Sequence, residues 1–429
     1  MMTTRRAWML LVILIILHLL SFLDRFIILL MVGPIKAEFG VSDFQIGALH
    51  GAAFGIVYAV FALPLGWLAD RAQRRLVIFA GVLIWSLATA ASAFAGSFSH
   101  LFLARLMVGV GEAALVPAAY SMLSDAFPRH RLALALAIFA AAVPVGASCA
   151  IALGGVLVAA VDGIIVYVPL LGAVRDWHVA FLVLGLPGVF LAFLIFLVPE
   201  PMRVRSSGDG DASPTWPNFL PFLKSRRSFF IPLFLAAGFA AMLGNGTFGW
   251  LPTYIIRTFQ WRVADVGLAM GLTSAIAGAI GGALSGYIVD RWFAAGRRDA
   301  HVAYYAIAMA LLGLWTVAAF NMPSALLCLL FFALIQLCAQ FYGVAAAAIQ
   351  LVTPSEFRGR TSALYLFVYN IMGVGLGPVV VAGFTGFVLR DETKLGLALS
   401  LTALLCAPLA SFLFAWSGRA MKRFLEPVR

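Results

Sequence analysis

The sequence predicts an all-α integral membrane protein of twelve transmembrane helices in two pseudo-symmetric halves of six. Three observations carry this: composition, the number and length of apolar spans, and an internal repeat. Of the 429 residues, 63% are hydrophobic and 11% charged, and the mean hydropathy is +1.02. A soluble globular chain is about 45–50% apolar and about 25% charged. Apolar spans run over 7–33, 44–66, 75–96, 98–124, 131–160, 178–198, 229–256, 263–288, 301–320, 323–352, 359–388 and 394–418, here called helices 1 to 12. About 20 apolar residues cross a bilayer, so most spans are long enough to do so with tilt.

Helix 1 follows Arg5-Arg6 and superficially looks like a secretory signal. Its run is too long and lacks a small-residue cleavage site, so it stays as a helix. It also carries Asp24 and Arg25 side by side. A charge deep in hydrocarbon costs several kcal/mol and usually faces a partner or a wet cavity. Helix 4 supplies Arg105 and Glu112, seven apart and therefore on one stripe. Counted from the helix ends, Asp24, Arg25 and Arg105 fall at similar depth, about 10–14 Å in. His18, seven before Arg25, and Glu112 would form a second level. Asp24 is expected to pair with Arg25 or Arg105. A carboxyl that gains and loses an arginine partner between conformations is a proton switch, and Asp24 and Glu112 are the candidates. The plainer reading is a static ion pair locking helices 1 and 4. His18 and His50, near the start of helix 2, read first as packing residues and second as cavity residues.

Helix 2 ends in Gly66-Trp-Leu-Ala-Asp70-Arg71-Ala-Gln-Arg74-Arg75, and helix 8 ends in Gly286-Tyr-Ile-Val-Asp290-Arg291. This repeat divides the chain into an N-terminal half (1–199), a linker rich in Pro, Ser, Gly and charge (200–227), and a C-terminal half (228–429). Paired six-helix halves are an architecture of secondary transporters, which bind substrate between the halves near the midplane. Gly278, Gly282 and Gly286 on helix 8, with Gly373, Gly375, Gly377 and Pro378 on helix 11, suit close and bendable helix packing. The stretch 162–176 before helix 6 is unusually apolar. It is expected to be re-entrant, interfacial, or an extension of helix 5.

The C-terminal half has no charge inside helices 7 or 10, and none in helix 11 beyond Arg360 at its start. Its cavity candidates are Asn245, Thr247 and Tyr254, then Gln336, Gln340 and Tyr342, then Tyr369 and Asn370. Each alone reads as a packing hydrogen bond. Together they suggest a weakly polar, apolar wall facing a charged N-terminal side, which suits an amphiphile with a charged head.

Twenty-one of the 29 basic residues fall in the termini, the linker and the loops on their side, against six on the other side. Both termini are therefore expected in the cytoplasm. The net charge of +11 follows from these loops and implies no nucleic acid, since no basic tract is interleaved with aromatic residues. The four cysteines lie inside apolar spans without CxxC spacing and read as packing residues.

The Gly66–Arg75 segment resembles the loop signature of the major facilitator superfamily, and the resemblance covers the chain. Within it, Leu23-Asp24-Arg25-Phe26, the Arg105–Ala113 segment and FLVLGLPG in helix 6 resemble spinster-type transporters of sphingolipids and lysolipids, in a bacterial form. The resemblance implies a proton-coupled carrier, symporter or antiporter, working by alternating access. Its cargo would be a lysophospholipid or a sphingosine-1-phosphate-like lipid. Arg25 and Arg105 would hold the head group. Gly66, Asp70, Arg71 and Arg75, with Asp290 and Arg291, would form the cytoplasmic gate, Asp70 meeting the start of helix 11. A monomer in the inner (plasma) membrane is expected, with protons and the substrate as partners and no cofactor or metal. The alternative is a proton-linked carrier of small organic anions or drugs. No G-x-S-x-G, HExxH, CxxC or Walker motif is present, so neither an enzyme nor an ATP-driven pump is expected.

Overall fold

The computed structural model describes residues 3–168, 172–175, 177–203, 216–339 and 341–425. Among them, eleven helices are long and apolar enough to cross a bilayer. They are helix 1 (Thr4–Leu30), helix 2 (Asp43–Arg71), helix 3 (Arg74–Ser92), helix 4 (Phe98–Ala126), helix 5 (His130–Val161) and helix 6 (Trp177–Leu197). Helix 7 (Arg227–Phe259), helix 8 (Val263–Ala294), helix 9 (Ala300–Ala319), helix 11 (Arg358–Val388) and helix 12 (Glu392–Leu425) follow. The tenth span forms two shorter helices, Ala325–Cys338 and Phe341–Val352. Together they make the twelve-helix membrane architecture.

Several helices change winding where the sequence forces it. Helix 1 is α-helical to Phe26, 3-10 over Ile27–Leu30, and then a new helix, Val32–Phe39, runs through Pro34. The expected end at Gly33-Pro34 is therefore a kink, because proline is tolerated in a first helical turn. Gly40, at φ +63°, stops that helix in the left-handed conformation. Helix 4 breaks between Glu112 and Leu115, where the Pro117 ring would clash with the carbonyl four residues earlier. Helices 2 and 11 contain π-helical turns, Ala48–Ala52 and Asn370–Gly375.

The 162–176 stretch does not lengthen helix 5, which ends at Val161. It forms a β-hairpin, β1 (Ile165–Val168) antiparallel to β2 (Gly172–Arg175), with Val166 opposite Val174. β-branched residues between Gly163 and Gly172 favour strand over helix.

The chain folds as two compact units, Met1–Val204 with Trp250–Ala275, and Arg205–Gly249 with Ile276–Arg429. In the first, helix 1 lies along helix 5, and helix 3 against helices 4 and 6. Gly81 and Gly111 let helices 3 and 4 touch: a Cβ at Gly81 would stand 2.7 Å from the Gly111 carbonyl oxygen. The start of helix 8 meets helix 5 in the same way, where a Cβ on Gly155 would stand 3.0 Å from the Gly267 Cα. In the second unit, helix 9 packs along helix 12 and against Ala325–Cys338.

Candidate functional site

The charged residues of helices 1 and 4 meet inside the first unit. Asp24 is fully buried, Arg105 is 3% exposed and Glu112 is 2% exposed. Their pairing differs from the sequence expectation. Arg25 hydrogen-bonds Glu112 rather than Asp24. Arg105 donates through Nη1 to the main-chain carbonyl of Asp24 at 2.7 Å, not to its carboxyl. Neighbouring helix residues point about 100° apart, so Asp24 and Arg25 face different partners. Glu112, expected one level below, thereby joins Arg25 in one cluster. The last α-helical turn of helix 1 leaves carbonyls without i+4 donors, and Arg105 takes one of them.

Neither Asp24 carboxyl oxygen has a hydrogen-bond partner among the described residues. The indole of Trp85, buried on helix 3, acts on that carboxyl, but its N–H lies outside hydrogen-bond geometry. Glu112 Oε1, Arg25 Nε, and Arg105 Nε and Nη2 are also without partners. An unpaired buried carboxylate costs several kcal/mol, whereas the neutral acid costs far less. The cluster is thus a set of buried, half-satisfied polar groups.

Aromatic rings surround the two guanidinium groups. Arg25 Cζ lies 4.3 Å from the Phe54 ring centre, 5.1 Å from Phe22 and 5.5 Å from Tyr58. Arg105 Cζ lies 4.8 Å from Phe181. His50, inside the π turn of helix 2, feels the charges of Arg105 and Arg25. π turns often mark functional positions. His18 instead stacks between Phe22 and Phe139, at 5.1 and 5.0 Å, with Nδ1 unpartnered.

At the Asp70 end, the Asp70 side chain is exposed, and Arg203 binds the main-chain carbonyls of Ala69, Asp70 and Ala72. Arg71 stacks on Trp67 at 4.1 Å. Gly66 faces Pro117 of helix 4. The hub of the motif is Arg74, fully buried and donating to Glu200, Ser121, Asp125 and the Pro201 carbonyl. Arg75 donates to the Val198 carbonyl at 3.1 Å. In the repeat, Asp290 is exposed and Arg291 reaches the Tyr287 hydroxyl.

At the opposite end lies a cluster that the sequence reading missed. Asp43, fully buried, accepts from Lys36 at 2.6 Å and from both Nη atoms of Arg257 at 2.7 and 2.8 Å. It ties the end of helix 7 to the start of helix 2. An aspartate three residues after the glycine that ends a helix looks like a solvated loop charge, so nothing local marked it.

Of the C-terminal candidates, Asn245 and Asn370 donate to the carbonyls four residues before them, Ala241 and Leu366, each at 2.9 Å. Tyr369 packs on Tyr365 at 6.1 Å, and Tyr254 on Phe259 at 5.8 Å. Thr247 is buried with its hydroxyl unpartnered. Gln336 is half-buried. Gln340 lies outside the described residues. Trp85, Phe54, Tyr58 and Phe181 join the site unannounced, because an aromatic residue in an apolar span carries no signal of its own.

The sequence profile described as the Major Facilitator Superfamily matches residues 14–378. An MFS-type efflux pump of Mycolicibacterium smegmatis is 29% identical over 99% of this chain and 96% of its own length. Protein spinster homolog 1 of Xenopus laevis is 32% identical over 59% of this chain and 47% of its own length. The sphingosine-1-phosphate transporter SPNS2 of Mus musculus is 29% identical over 56% and 42%. The chain thus spans less than half the length of these spinster relatives. A crystal structure of a bacterial homolog of the human lysosomal transporter spinster, inward-facing and unoccupied, shares the fold with a TM-score of 0.85 at 22% identity, covering both chains fully.

Proposed function

This chain belongs to the major facilitator superfamily, a multi-pass membrane transporter related to the spinster proteins, and from that premise we propose that it moves an amphiphilic lipid by proton-coupled alternating access. The cargo we propose is a lysophospholipid or a sphingosine-1-phosphate-like molecule. The observation that carries this reading is the buried cluster of helices 1 and 4, in which Asp24 has no partner for either carboxyl oxygen among the described residues. Asp24 takes up and releases the proton. Arg105, with two unpartnered nitrogens, holds the head-group anion by charge-assisted hydrogen bonds. The weakly polar residues of helices 7, 10 and 11 face the acyl tail. Asp70 and its repeat Asp290 gate the cytoplasmic side. Both termini lie in the cytoplasm, the protein sits in the inner membrane, and it works as a monomer of two six-helix halves.

The efflux-pump relative, matched along nearly its whole length, favours a second reading, a proton-linked carrier of small organic anions or drugs. A thermal-shift screen of the purified protein separates the two. Single-chain phospholipids should raise the melting temperature, and Arg105→Ala should abolish the effect. Stabilisation by short organic anions alone, lost in Arg105→Ala, would replace the lipid reading with the second.

A further inference from the structure

The cluster contains chemistry that anion binding and proton uptake do not use. Three aromatic rings, Phe22 from helix 1 and Phe54 and Tyr58 from helix 2, lie within 5.5 Å of the Arg25 Cζ. The Glu112 carboxylate, from helix 4, bonds the same guanidinium. Phe54 and Tyr58 stack on each other at 5.6 Å, and Phe22 stacks on Phe26 at 6.0 Å, so the rings are held by their own neighbours. Ring faces with a carboxylate are the recognition chemistry of an ammonium ion.

We propose that Glu112, Phe22, Phe54 and Tyr58 form a seat for a quaternary or primary ammonium, and that Arg25 occupies this seat as an exchangeable internal cation. This deepens the reading of the cluster as the substrate site and rests on it. Two features make Arg25 the member that leaves. Its side chain is 17% exposed against 1% for Glu112, so it can move toward water while Glu112 cannot. Its bond to Glu112 is also incomplete, since Arg25 Nε and Glu112 Oε1 have no partner.

The exchange selects the charge type of the head group. A buried charge left without a partner is strongly unfavourable. A zwitterionic head resolves both ends: its ammonium replaces Arg25 on Glu112, and its phosphate pairs with the released Arg25 and with the free Nε and Nη2 of Arg105. A purely anionic head leaves Arg25 in its seat and gains only Arg105. A simple cation displaces Arg25 without offering it a new partner, so it binds less tightly than the zwitterion.

The test measures binding to the purified full-length protein in detergent. The probes are lysophosphatidylcholine, lysophosphatidylglycerol of the same chain length, dodecyltrimethylammonium and tetramethylammonium. Lysophosphatidylcholine should bind about tenfold tighter than lysophosphatidylglycerol, the scale of a desolvated cation–ring interaction. Arg25→Ala vacates the seat and should tighten dodecyltrimethylammonium about tenfold, and Phe54→Leu in the same background should reverse that gain. Phe54→Leu, which keeps an apolar side chain, should remove the preference for lysophosphatidylcholine and leave lysophosphatidylglycerol unchanged. Tetramethylammonium binding to Arg25→Ala would assign the seat to free cations as well as lipid heads, and its absence beside tight dodecyltrimethylammonium would restrict it to lipid heads. Equal or tighter binding of lysophosphatidylglycerol by the wild-type protein would overturn the seat while leaving lipid transport standing. No binding of either lysolipid, nor of either cation, would remove both.

Discussion

Among the described residues, buried charge is either fully partnered or left half-satisfied. Arg74 and Asp43 are fully buried with every partner close. Asp24 is equally buried with none for its carboxyl oxygens. Removing one partner of a buried pair costs about 3–5 kcal/mol because the other charge is stranded. Asp43→Asn should therefore destabilise the purified protein by about 3 kcal/mol, stranding Arg257 and Lys36, and read out as a clear fall in melting temperature. A melting temperature within error of wild type would show that the cluster carries no such weight. Asp24→Asn should leave the melting temperature unchanged or raise it, since it replaces an unpaired carboxyl by a neutral amide. Asp24, Arg25, Arg105 and Glu112 were legible in the sequence because charge inside an apolar run stands out. Their pairing was not, because it depends on how helices 1 and 4 are rotated about their axes. Phe54 and Trp85 were invisible for the converse reason: nothing distinguishes a site aromatic from a packing one.

At the scale of elements, the spans and their approximate ends follow from hydropathy, while the breaks follow from backbone chemistry. Pro117 marks the interruption of helix 4, and the sequence holds that signal. The π turn at His50 has no sequence mark, since an inserted residue changes winding without changing composition. The β1–β2 hairpin read as a re-entrant or interfacial piece, or a longer helix 5, because its run is apolar. Its β-branched residues between glycines held the information that hydropathy ignores. Close helix contacts are the more consequential elements. Gly155 and Gly267 let helices 5 and 8 meet backbone to backbone. Gly155→Leu should force them apart, costing about 1–3 kcal/mol as an overpacked contact does, and lower the thermal unfolding temperature. Full stability in that variant would mean that the helices separate there without penalty.

At the scale of the molecule, the repeated Asp70 and Asp290 segments were legible as an internal echo, whereas the linker expected over 200–227 lies partly outside the described residues. How the chain divides into compact units was not legible: the end of helix 7 and the start of helix 8 join the N-terminal unit, through contacts of Arg257 and Gly267 that only the folded chain reveals. If the Asp70 segment gates the cytoplasmic side, Asp70→Asn should shift the distance distribution between spin labels on the Asp70-side ends of helices 4 and 10. An unchanged distribution would leave Asp70 as an ordinary loop charge. Orientation is tested separately. A cysteine at position 209 should resist an impermeant reagent applied to intact cells, and one at position 392 should react; the reverse pattern would invert the topology.

We propose that Asp24 couples substrate movement to protons. The most direct test is flux in proteoliposomes holding the purified protein, with a radiolabelled lysophospholipid and an imposed pH gradient. Wild-type protein should concentrate the lipid against its gradient only while the pH gradient lasts. Asp24→Asn should still exchange lipid across the membrane but should fail to concentrate it. Undiminished, gradient-driven accumulation by Asp24→Asn would show that Asp24 does not couple transport to protons.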